Sequence, residues 1–69
     1  MMIELNGRTA ELRDGASLVE AVEAAGAGAD RRGVAVAVEG EVVPRAEWDS
    51  TSLRDGQSVE VVRAMQGGL

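Results

Sequence analysis

Ser58-Val59-Glu60-Val61-Val62-Arg63 is a valine-rich run, followed at once by Ala64-Met65-Gln66-Gly67-Gly68-Leu69. Valines at this density favour a pleated, packed backbone, so residues 58–63 read as a strand. Residues 64–69 carry no apolar pattern and read as a flexible tail with a glycine pair near its end. The domain is therefore expected over residues 1–63, and the tail over 64–69. How the rest of the chain accommodates this late strand decides the fold.

Working back from it, Asp55-Gly56 is a turn and Leu53 a lone apolar anchor. Arg45 to Trp48 can form one helical turn. Pro44 has no N–H to donate, so it ends a short strand at Glu41-Val42-Val43. Glu39-Gly40 turns the chain between that strand and Val34-Ala35-Val36-Ala37-Val38, the clearest strand, with Val34, Val36 and Val38 toward the core. Gly26 to Asp30 reads as a loop leading to Arg31-Arg32. Before it, Leu18, Ala21, Val22 and Ala25 repeat at helical spacing. Ser17 and Glu20 supply a capping box, and Gly26 stands where a left-handed cap is expected. At the start, Ile3-Glu4-Leu5 and Arg8 to Leu12 flank Asn6-Gly7, a pair suited to a tight hairpin.

The order is strand, strand, helix, strand, strand, strand. One helix with four or five strands predicts an α+β domain, a mixed sheet packed on one helix. A β-grasp topology satisfies it, with the last strand parallel to the first and set between the two hairpin-like pairs.

Composition narrows the function. The chain has 69 residues with no Cys, His, Lys or Tyr. The usual nucleophiles and the usual neutral-pH base are missing, so the domain is not expected to be an enzyme and no bound metal or cofactor is expected. A domain this small buries only about 60% of its unfolded surface, so its core is thin. Seven basic residues face twelve acidic ones, a net charge of −5. The arginines are scattered apart from Arg31-Arg32, so nucleic-acid binding is not expected. Arg31-Arg32 itself reads as a solvated pair rather than a phosphate site. No apolar run is long enough to span a membrane, and no secretory leader is visible, so a cytoplasmic protein is expected. Trp48, the single aromatic, reads as cover for the thin core rather than as a partner-binding hot spot. Glu4, Glu11, Glu39, Glu41 and Glu60 could make an acidic partner-facing surface, although solubility accounts for most of them.

The remaining reactive group is a terminal carboxylate. A carboxylate is a poor electrophile. Transfer of AMP from ATP would give an acyl adenylate, and a sulfur nucleophile could then leave a thiocarboxylate. Gly67 and Gly68 suit such chemistry because residues without Cβ can thread a narrow channel. Extended, residues 64–68 reach at most about 17 Å. Gly68 is then the modified residue, with Gly67, Gln66 and Met65 threading into the partner site.

The chain resembles the ThiS family, sulfur carriers of thiamin thiazole biosynthesis. The resemblance rests on Asn6-Gly7, Val36-Ala37-Val38-Glu39-Gly40, Val43-Pro44-Arg45 with Trp48, Leu53-Arg54-Asp55-Gly56, Val59-Glu60-Val61-Val62 and Gly67-Gly68. It covers essentially the whole chain. It implies a ubiquitin-like β-grasp fold and adenylation of Gly68 by a ThiF-type adenylyltransferase, with ATP and Mg²⁺ bound there. It also implies sulfur from a cysteine desulfurase system and delivery to the thiazole synthase ThiG. Two positions depart from the family. Leu69 follows the second glycine and would make Gly68 an amide; of a tag remnant, a segment removed by a protease and a chain that is no carrier, the remnant is the preferred reading. Gln57 replaces a frequent Asp and reads as a solvated turn residue. Other functions compatible with the tail are the small sulfur-carrier subunit of molybdopterin synthase, a ubiquitin-like protein modifier, and an interaction module with incidental glycines. The absence of Phe and the Arg63-Ala64-Met65-Gln66 run argue against the molybdopterin subunit.

Overall fold

A computed structural model of the chain describes residues 1–27 and 33–63. The strands are β1 (Met2–Leu5), β2 (Arg8–Glu11), β3 (Val34–Val38), β4 (Glu41–Val42) and β5 (Ser58–Arg63), with helix α1 (Leu18–Ala24) and a 3₁₀ turn at Arg45–Glu47. They form one five-stranded sheet in the order β2-β1-β5-β3-β4. β5 is parallel to β1 and antiparallel to β3, and both hairpins are antiparallel. The sheet is thus the expected mixed β-grasp arrangement, with the late strand at its centre.

The hairpin turns follow from local chemistry. Asn6 and Gly7 have φ of 52° and 81°, and Glu39 and Gly40 have 51° and 85°. Positive φ at both central residues matches the twist of the flanking strands. The Asn6-Gly7 turn needs no compensation, since Asn tolerates this region. Glu39 is a less usual occupant, and its side chain has a structural partner described below.

Helix α1 starts as the sequence predicts. Ser17 has an extended N-cap backbone, and the Glu20 carboxylate accepts its N–H at 3.4 Å, the reciprocal half of a capping box. The end differs. Ala25, expected on the apolar face, is an exposed C-cap. Gly26 at φ 88° turns the chain, its N–H bonding Glu23 O at 3.0 Å while Ala27 N–H bonds Val22 O at 3.2 Å. This is a Schellman closure, which brings the residue after the glycine back against the helix. Ala27, read as part of a loop, is therefore buried beside Val22. The rest of that loop, residues 28–32 with Arg31-Arg32, lies outside the described residues.

Ile3, Leu5, Val36 and Val59 from the sheet meet Leu18, Ala21 and Val22 from the helix. Val34 and Val38 pack at the margin, half-buried. Trp48 and Leu53 complete the cluster, and Trp48 is the largest fully buried side chain at 2% exposure. Its indole N–H donates to Val43 O at 2.9 Å, which satisfies the one polar atom of the ring. The core reading of Trp48 therefore holds. β4 ends one residue earlier than expected, yet Val43 N–H still bonds Val36 O at 2.9 Å before Pro44 breaks the pairing. Gln57 is not simply a solvated turn residue. It is half-buried, and its Oε1 accepts the Arg54 N–H at 2.7 Å, closing the turn that launches β5.

Candidate functional site

β5 delivers the chain to residues 64–69, so its anchoring is the first property of the site. Residues of a strand turn their N–H and C=O groups alternately to the two neighbours. The β3 side is paired continuously, from Val38↔Val59 to Val34↔Arg63. On the other side the ladder with β1 spans only Glu4↔Ser58 and Leu5↔Val59. Backbone bonds Glu4 N–H to Gln57 O and Asn6 N–H to Val59 O, both 2.9 Å, complete it. β1 then turns away.

Side chains from the two hairpin turns supply what the strands omit. Asn6 Oδ1 accepts the Val61 N–H at 2.7 Å, and Asn6 Nδ2 donates to Val61 O at 3.2 Å. At the opposite end, Glu39 Oε2 accepts the Ser58 N–H at 2.7 Å while Glu39 N–H donates to Ser58 O at 2.8 Å. β5 is thus held at both ends by the first residue of a turn. The sequence marks Asn6 as a turn former, and Glu39 as a turn former and a candidate surface acid. The Asn-Gly and Glu-Gly pairs mark the turns, but nothing local announces a partner more than fifty residues away for Asn6.

The face of the sheet opposite the helix is the second feature. The register places Glu4, Thr9, Glu11, Ser58 and Glu60 on it toward one side. Ala35, Ala37, Val42 and Val62 lie toward the other. Val42 and Val62 are 74% and 59% exposed. No strand position on this face is basic. Of the five glutamates weighed as a partner-facing surface, Glu4, Glu11 and Glu60 share it. Glu39 is engaged in its turn, and Glu41 pairs with Val38, whose side chain points to the core side.

Side-chain chemistry is otherwise sparse. Among the described residues no polar or charged residue is buried, and no three acidic residues cluster as a metal site. The resolved titration shifts belong to a surface pair. The Arg13 guanidinium bonds Glu20 at 2.6 and 3.0 Å, holding the carboxyl below its usual range and the guanidinium above its own. This pair braces the helix start and faces no site. No described helix is long and apolar enough to cross a membrane. The expected site residues Met65, Gln66, Gly67 and Gly68 lie outside the described residues, as does Leu69.

The model of the ThiS family matches residues 2–68. The chain belongs to the ThiS family. ThiS proteins are sulfur carriers rather than enzymes. A crystal structure of the thiamine biosynthesis protein ThiS from Geobacter metallireducens is 30% identical, with a TM-score of 0.79, covering 99% of this chain and 100% of that one. A solution structure of a thiamine biosynthesis protein from the same organism is 31% identical, with a TM-score of 0.78, covering 100% and 90%. No curated protein sequence matches the chain.

Proposed function

We propose that this ThiS-family protein carries sulfur for thiazole formation on the carboxylate of Gly68. The observation that carries the reading is the family match, which runs through the strand, the tail and the glycine pair and stops at residue 68. The fold supports it. The domain has no buried polar side chain among its described residues with which to do chemistry itself. It does have a central strand, paired on both sides, aimed into the tail.

In this reading the Gly68 carboxylate attacks the α-phosphorus of ATP on a ThiF-type adenylyltransferase, with Mg²⁺ there, and pyrophosphate leaves. Hydrosulfide, released by a thiol reductant from the persulfide of a cysteine desulfurase system, then displaces AMP and leaves the thiocarboxylate, which ThiG uses. Met65, Gln66 and Gly67 thread the partner's channel. The helix-free sheet face meets the activating enzyme. Its exposed Val42 and Val62 supply apolar contact, and its three glutamates suit a basic counterpart.

The test compares chains ending at Gly68 and at Leu69, each incubated with the activating enzyme, ATP, Mg²⁺ and a sulfur donor. Intact mass should show adenylate and then thiocarboxylate on the Gly68 chain, and neither on the Leu69 chain. A Gly68 chain that acquires neither group refutes the reading.

A further inference from the structure

Resting on that carrier reading, we propose that Asn6 is a positioning residue for the tail: its carboxamide acts as the missing next rung of β1 and keeps the exit end of β5 on course for the activating enzyme. β1 ends at Leu5, whereas β5 continues to Arg63. In the β3 register, Val62 exchanges bonds with Ala35, so the polar groups of Val61 turn toward the β1 side. No strand remains there to receive them. The Asn6 amide meets both, as acceptor at 2.7 Å and donor at 3.2 Å.

Residue type and backbone state both matter. An amide offers one acceptor and one donor in a fork that copies a peptide group. Asn is also among the few non-glycine residues that accept φ of 52°. Asp could keep only the bond from Val61 N–H. Without the amide, Val61 loses its second partner and β5 beyond Val59 is held by β3 alone.

Glu39 provides an internal control. It grips Ser58 at the far end of the same strand, from the other hairpin. Removing it loosens β5 where the tail does not leave.

The experiment uses the chain ending at Gly68 and its Asn6→Gly, Asn6→Asp and Glu39→Gly variants, all at a temperature where the parent is folded. Hydrogen exchange at the Val61 amide reports the clamp. Initial-rate adenylation reports half-saturating concentration and maximal rate separately. Restoring order to a single freed residue corresponds to roughly a five- to thirtyfold change in an equilibrium. Asn6→Gly should therefore speed Val61 exchange and raise the half-saturating concentration at least about fivefold, with maximal rate within about twofold. Asn6→Asp should fall between it and the parent. Glu39→Gly should leave half-saturation at the parental value. Parental half-saturation in Asn6→Gly overturns the proposal, as does unaltered Val61 exchange or an equal defect in Glu39→Gly. Should Asn6→Gly not fold, parental behaviour of Asn6→Asp overturns it instead. A parent that is never adenylated sinks the carrier reading, an outcome distinct from a parent and variant that perform alike.

Discussion

Replacing Trp48 by Phe separates a core role from a docking role. Trp48 is 2% exposed and donates its indole N–H to Val43 O at 2.9 Å. Phe keeps a ring but is smaller by roughly 40 Å³; at about 24 cal/mol per Å³ of cavity this costs about 1 kcal/mol. The lost hydrogen bond, with Val43 O part-buried, costs about 1 kcal/mol more. A chain of this length has a total stability of roughly 3–10 kcal/mol, so about 2 kcal/mol is a fifth or more of it. The expected fall in Tm is about 8–16 °C. Urea unfolding should be followed by far-UV circular dichroism, because Trp48 is the only aromatic residue and the variant has no indole signal. The midpoint should drop with the slope unchanged. Adenylation of the folded variant should match that of the parent. A stability loss under about 0.5 kcal/mol together with weakened adenylation would refute the packing argument and make Trp48 a contact residue.

Glu20→Gln removes the partner of Arg13 and should lower Tm at neutral pH. The folded carboxyl sits below its usual range chiefly through the Arg13 hydrogen bond, so its contribution is present above the ordinary carboxylate range and lost as pH falls through it and below. The Tm gap between parent and variant should close on acidification; a gap constant from pH 7 to pH 3 would contradict this sign. Val42→Arg alters a side chain that is 74% exposed, so stability should move by no more than about 0.5 kcal/mol. The half-saturating concentration for adenylation should nonetheless rise, and if it does not, the sheet face is not the docking surface.

Most of the fold was legible because several local signals agreed. Turn pairs, a capping residue and valine alternation each marked an element at the place where the structure has it. The misses have specific causes. Ala25 continues a helical pattern, but the left-handed Gly26 ends the helix first and sends Ala27 into the core instead. Gln57 looked like surface because its role depends on the Arg54 N–H across a turn. The glutamates were weighed as a surface beside a reading of plain solubility, and only strand parity separates Glu41 from Glu4, Glu11 and Glu60. The tail is marked in the sequence only by composition: a glycine pair after a domain without Cys, His, Lys or Tyr. The contact between Asn6 and Val61 was not legible, because the two meet only after the first and last strands have paired.

The central place of β5 has a consequence for biosynthesis. The strand that both halves of the sheet require is the last one in chain order, and it must reach back to β1 across nearly the whole sequence. Such distant pairing is slow to form. An interrupted translation product therefore lacks the terminus and the finished body together. Under the proposed carrier function, an activating partner that binds the assembled sheet would spend no ATP on such a fragment.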